Sequence, residues 1–438
     1  MKWCMWMLPF VTVVPLVSAT VVNSNDLLVA KTITLADGSI VDWVYRSSQG
    51  TVADRPPFPP TGSGTGGPRG GANGGTKQPR AAKTSDYETF SPNQMGPINT
   101  VPILRTGEIG DLRSKALPDM AILSKRTLLG MDPNHWYAGT RQSVWNLGAK
   151  ATFSCFRPEL STRRRMSLLQ MAVARTSVPG VPGRKVQTLE AGWMRNPRSV
   201  RHPHMFTYYT VNSYVSPGDY RGGYNAKVKG WVQVDREYYP GMRLPVSRVG
   251  GVQRSVRLRF RRHRDNWWLA VNDRWIGYYP GRIFWRRGVP SDRTLASKSN
   301  YIAMYGEATQ EKLRPWPLTR THMGSGKFPE EGWGRAAYIR QMTYTDLNRV
   351  DRTYTGPSRS VTEPMRYDCM TNELLGDSFW GSYMFVGGPG RRMRRRPFFG
   401  NYYRTTRPGV IEEPPENIDT DETPDIVEMG DSPPPVTP

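Results

Sequence analysis

Cysteine and histidine are scarce in this sequence. Its 438 residues hold three cysteines, Cys4, Cys155 and Cys369, and five histidines. So few cysteines exclude a disulfide-built scaffold and a cysteine-based zinc site. Cys155 and Cys369 can form one disulfide or remain two thiols. His202 and His204 are not accompanied by a Glu-x-x-His or His-Glu-x-x-His spacing, so the zinc-protease signature is missing. Ser325 in "MGSGK", with His322 three residues before it, lacks the Gly-x-Ser-x-Gly elbow of a hydrolase nucleophile. The glycines of 51–83 contain no Gly-x-x-x-x-Gly-Lys-Ser/Thr phosphate loop. No Asn-x-Ser/Thr acceptor for an N-glycan occurs. Acidic residues are also in deficit: 37 Asp and Glu stand against 60 Lys and Arg, a net charge of +23. That excess suits solubility or an anionic partner, whether nucleic acid, acidic membrane or polysaccharide.

What is present is ordered along the chain. Residues 1–19, "MKWCMWMLPFVTVVPLVSA", combine Lys2, an apolar run and small residues before Thr20, the pattern of an export signal. The run is short for a bilayer span and broken by Pro9 and Pro15, and no later stretch is long and apolar enough to span. In 20–50, Ile33, Val41 and Val44 around Asp37-Gly38 predict a β-hairpin. Residues 51–83 read as a Gly/Pro-rich linker. From 130 to 390, short runs of Tyr, Trp, Val and Phe alternate with turn residues. In "SVRLRFRRHRDNWWLAVNDRWIGYYP", Val256, Leu258 and Phe260 alternate with Arg257, Arg259 and Arg261, the period of a half-buried strand. Turns are expected at Asp265-Asn266 and Asn272-Asp273. The pattern predicts an all-β domain of antiparallel strands, a sandwich or barrel. Residues 391–438 run from basic to acidic and predict disorder.

Without a metal, cysteine or serine centre, paired carboxylates are the remaining hydrolytic chemistry. One can deprotonate a water while its partner protonates the leaving group. The adjacent pair Glu330–Glu331 does not fit, because neighbouring side chains in a strand point to opposite faces. Those two acids are expected at a turn, solvated or paired with arginines.

The segments "KTITLADGSIVDWV" (31–44), "TLEAGW" (188–193), "HMFTYYTVNSY" (204–214), "NWWLAVNDRWIGYYP" (266–280), "HMGSGKFPEEGWGRAAYI" (322–339) and "WGSYMFVGGPG" (380–390) stand in the order found in the neprosin family, which the chain resembles from 26 to 390. The resemblance implies a secreted glutamic peptidase made as a zymogen, cutting after proline at acidic pH with two glutamates, no metal and no cofactor. It implies an antiparallel β-sandwich at 130–390, an activation segment at 20–50, and the rest of the pro-region at 84–129. By motif, the two glutamates are Glu190 in "TLEAGW" and Glu307 in "YIAMYGEATQ". They are expected to act as a coupled pair, either one serving as acid or base. Trp193, Tyr208, Tyr209, Trp267, Trp268 and Tyr305 are expected to line the cleft and pack on a proline ring. Tyr305 departs from the family's usual Trp-Gly-Gly-Glu, standing at a glycine. Trp43 stands at a usual cysteine, and the basic run after "GGPG" replaces the usual partner of Cys369. A second expectation follows from these departures: an inactive relative that binds proline-rich protein or anionic cell-wall polysaccharide. Nucleic acid is not expected, since no nucleic-acid motif accompanies the charge.

Overall fold

A computed structural model describes residues 27–57, 87, 89–105, 135–163, 165–309, 321–374 and 379–391. All of them fall in one compact unit. The export signal, linker residues 58–83, pro-region residues 84–86, 88 and 106–129, and the tail beyond 391 lie outside the described residues.

Strands and short 3-10 turns make up the regular structure among the described residues. Three antiparallel sheets result. The first joins β1 (Val29–Thr34), β2 (Ile40–Tyr45) and β3 (Thr100–Arg105) in that order. The second has seven strands: β17 (Ser358–Val361), β4 (His135–Asn146), β14 (Ser299–Thr309), β6 (Ser167–Arg175), β7 (Gln187–Asn196), β8 (Val200–Thr210) and β9 (Gly222–Tyr224), in that spatial order. The third has nine. Its path is β10 (Val232–Gln233), β13 (Arg274–Pro280), β12 (Asn266–Val271), β11 (Ser255–His263), β5 (Ala149–Ser154), β15 (Ala337–Thr345), β19 (Gly381–Gly387) and β18 (Asp368–Leu374), with β16 (Asp351–Thr353) paired to β15. The expected all-β sandwich is the fold found.

The main core lies between the two large sheets. Leu169, Met171 and Val173 of β6, and Leu189, Ala191 and Trp193 of β7, meet Phe153, Val256, Leu258, Phe260, Trp267 and Leu269 from the opposing sheet. The Trp193 indole N–H donates to the Ser154 carbonyl at 2.8 Å, a tie between the sheets. The alternation in β11 holds, with Val256, Leu258 and Phe260 fully buried. Arg259 on the other face is buried too, and pairs with Asp351 at 2.8 Å. The turn at Asn272-Asp273 forms as expected, both residues having positive φ (47° and 66°), the geometry of a tight two-residue hairpin. The preceding turn falls one residue earlier than expected. Arg264 takes the positive φ, because Asn266 already pairs with Pro280 and His263. Glu330 and Glu331 sit in a 3-10 turn, Pro329–Glu331, where Glu331 accepts from Arg335 Nε at 3.0 Å.

The N-terminal sheet docks on the sandwich through polar and aromatic contacts. Gln49 bonds the backbone of Gln233 in both directions, at 2.9 and 2.8 Å. Arg236 donates to the Gly96 carbonyl at 2.6 Å and lies over the Trp43 ring. Phe90 stacks on Tyr239 with centroids 5.4 Å apart. Trp43 is fully buried, and a Cβ at Gly96 would come within 2.5 Å of its ring. The large indole therefore fills its site by packing against a glycine.

The disulfide alternative does not form. Cys155 and Cys369 are both free and buried. Cys369 Sγ points at the Gly139 carbonyl of β4, 3.3 Å away, whereas Cys155 Sγ faces the Phe153 carbonyl of its own strand. The sulfurs thus occupy separate packing sites. Burial pushes the Cys369 thiol up to about 12 and drives the Cys155 thiol upward as well. A raised thiol pKa means little thiolate at neutral pH, and the thiolate is the reactive form. Both thiols should therefore resist a thiol-specific reagent in the native protein at pH 8 and react fully in denaturant. Reduction should leave the thermal midpoint unchanged; a fall on reduction would restore the disulfide.

Candidate active site

The two glutamates lie on the face of the seven-stranded sheet that points away from the main core. In β7, Leu189, Ala191 and Trp193 point inward, so alternation turns Thr188, Glu190 and Gly192 outward. In β14, Ile302, Met304 and Ala308 face the core, which turns Tyr305 and Glu307 outward. A second apolar cluster covers this outer face, including Tyr137, Leu168, Ala172, Phe206, Tyr208, Tyr214, Tyr224 and Tyr305.

Register fixes how far apart the carboxylates are. Strand β6 separates β7 from β14. Glu190 pairs with Ala172 of β6, which pairs with Ala303; Glu307 pairs with Leu168 of the same strand. Two strand spacings and four residues of offset put their α-carbons about 16 Å apart for a flat sheet. At the level of the backbone the two glutamates are thus not direct neighbours. The row between them runs Gly192, Gln170, Tyr305, Gly139. Its two outer members have no side chain, and a Cβ at Gly139 would come 2.3 Å from that of Tyr305. Gln170 and Tyr305 fill the gap, joined by a bond from Gln170 Nε2 to the Tyr305 hydroxyl.

Each glutamate is held by its own partners. Glu190 accepts three hydrogen bonds: Tyr214 OH at 2.6 Å and Thr188 Oγ1 at 2.9 Å reach Oε1, and Gln170 Nε2 at 2.8 Å reaches Oε2. Glu307 Oε1 lies 2.5 Å from His135 Nδ1. Its second oxygen, Oε2, is buried with no hydrogen-bond partner among the described residues. Both glutamates have zero solvent exposure. Burial, then the charge of Glu190, holds the Tyr214 hydroxyl well above the ordinary tyrosine value. Burial and both carboxylates do the same for Tyr305 and Tyr224. These hydroxyls stay protonated, and so remain donors, through the acid and neutral range.

Of the six aromatic residues expected to line a cleft, two share the outer face with the glutamates. Tyr305 lies between the glutamates, and Tyr208 pairs across from Glu190. Trp193, Tyr209 and Trp267 belong instead to the core between the sheets. Trp268 lies on the outer face of the nine-stranded sheet with Trp275 and Tyr278. Alternation explains Tyr209, neighbour of the outward Tyr208, and Trp193, three positions from Glu190 on β7; Trp267 and Trp268 belong to the other sheet. His135, Gln170, Thr188 and Tyr214 are the site residues that sequence reasoning missed. Tyr214 ends a motif already singled out. His135 and Gln170 reach the glutamates only through strand pairing, and no local signal marks them. Ser325 Oγ accepts from Lys327 N at 3.2 Å within the glycine turn.

Glu190 and Glu307 thus share the outer face of one sheet of the sandwich, with Gln170 and Tyr305 between them. The neprosin family profile matches residues 163–389, just over half of the chain. The protein belongs to the neprosin family. Membership supports a peptidase-like function. Among solved structures, the chain is similar to scytalido-glutamic peptidase bound to a peptide-based transition-state analogue, at 9% identity and a TM-score of 0.30. It is also similar to SCP-B, a member of the eqolisin family of peptidases, bound to the tripeptide Ala-Ile-His, at 10% identity and a TM-score of 0.28. Each match covers 58% of this chain and 98% of the other.

Replacing Tyr214 by Phe would leave a carboxylate oxygen of Glu190 short of a donor in a dry site. The cost should be about 1–3 kcal/mol. A lower urea midpoint at unchanged m-value would show it; an unchanged midpoint would mean that the hydroxyl is dispensable.

Proposed function

We propose that this protein is an exported glutamic endopeptidase, made as a zymogen, that hydrolyses peptides after proline at acidic pH. The observation that carries the reading is the pair Glu190 and Glu307, two buried acids on one face with Gln170 and Tyr305 between them. The unpartnered Glu307 Oε2 is the better placed to accept a proton from water. The water oxygen then attacks the scissile carbonyl, while protonated Glu190 donates to the carbonyl oxygen. As the tetrahedral intermediate collapses, the C–N bond breaks and a glutamic proton passes to the departing amine. Pre-positioned donors in a water-poor site favour the charge that develops on the oxygen. The zymogen part of the reading draws on the complete burial of both glutamates, which a substrate cannot reach without movement.

Glu190→Gln and Glu307→Gln should each lower kcat on a proline-containing peptide at acidic pH by at least about 100-fold. Activity in the parent should fall as pH rises, because the acid partner must carry a proton. Full activity in either variant would sink the proposal.

Tyr305 favours a second reading. Its buried ring occupies the gap where substrate would have to lie. On this reading the protein is an inactive relative that binds proline-rich or anionic polymers through its basic surface. Tyr305→Gly separates the two. If the ring only narrows an active cleft, the variant should cut faster or accept bulkier peptides. If the parent is inactive and the variant gains activity, the ring is what silenced it.

A further inference from the structure

The carboxylate of Glu307 does not stand alone. His135, at the first position of β4, places Nδ1 2.5 Å from Glu307 Oε1. The imidazole is buried and lies against the Tyr137 ring, with centroids 6.3 Å apart. An N–H at Nδ1 donates to the carboxylate, since the oxygen can only accept when ionised. One oxygen is therefore committed, and the other, Oε2, is buried without a donor. A carboxylate held at one oxygen has its other oxygen fixed in direction.

We propose that His135 is a positioning residue: it clamps Glu307 through Oε1 so that Oε2 is presented to the attacking water. The proposal rests on the glutamate reading above and extends it. A histidine in this role carries a consequence that an amide would not. When doubly protonated it adds a positive charge beside the carboxylate; when neutral it supplies only the hydrogen bond. The other groups facing the pair are Tyr137 on β4, Tyr305 on β14 and Tyr224 on β9, with Glu190 beyond them on β7. Burial and the two carboxylates keep the Tyr224 and Tyr305 hydroxyls protonated through the acid and neutral range.

The test uses the full chain after acid activation, with a proline-containing peptide as substrate, and compares His135→Leu with His135→Asn. Asn can set its amide N–H near the place of Nδ1, whereas Leu keeps bulk and removes the donor. For His135→Leu, kcat should fall about 10–100-fold with KM within about twofold. For His135→Asn, most of kcat should return. A second readout needs no turnover. Proton NMR of the unactivated full chain should show a far-downfield His135 ring N–H that vanishes in Glu307→Gln. Equal kcat and pH profiles in parent, Leu and Asn forms, with both glutamine variants dead, would overturn the His135 role and leave the glutamate reading standing. Active glutamine variants, or an inactive parent, would overturn both. Loss of the downfield signal in Glu190→Gln but not in Glu307→Gln would also reject the clamp.

Discussion

Two-residue periodicity in β7 governs the functional face. Leu189, Ala191 and Trp193 must enter the core between the sheets, and Glu190 is therefore driven to the opposite side. The same parity in β14 buries Met304 and Ala308 inward and turns Tyr305 and Glu307 outward. A one-residue slip of either strand would move a carboxylate into the apolar core, at a cost of several kcal/mol for an unpaired charge. The register of β6 with its neighbours thus specifies both the core and the position of the chemistry. The Trp193–Ser154 bond adds a directional tie to a contact otherwise made by apolar packing.

The outer face is covered by aromatic rings. Tyr208 lies edge-on to Tyr224 at 4.6 Å and stacks on Tyr214 at 5.9 Å. Rings of this kind remove apolar area from water and still present hydroxyls as donors. Glu190 uses one such hydroxyl directly. Tyr214, Thr188 and Gln170, all neutral, donate to it. Glu307 is held differently, by an imidazole that can itself gain charge. Two acids of the same type are therefore given unlike surroundings.

Much of the fold was legible from local pattern. Asp37-Gly38 marked the first hairpin, and the arginine–aliphatic alternation marked β11. The site was legible only in part. Glu190 and Glu307 were named through their motifs, because 37 acids offer no way to choose a pair by composition. The gap between them was not legible, because it follows from their shared pairing with β6, a long-range property. His135 is 172 positions from Glu307 in sequence, and nothing near it signals a partner. The aromatic expectations failed for the opposite reason. Adjacent rings in a strand cannot share a face, so "YY" and "WW" each supplied one ring to a different side.

The ladder between β2 and β3 runs unbroken over six residue pairs, from Ile40–Arg105 to Tyr45–Thr100, although the two strands lie on opposite sides of 51–83 in sequence. A peptide bond cut between residues 57 and 87 would leave that ladder intact. Gln49 would still grip Gln233, and Arg236 would still hold the Gly96 carbonyl on the far side of the cut. A chain cut there would be a two-piece complex, held by a strand pair and a buried indole.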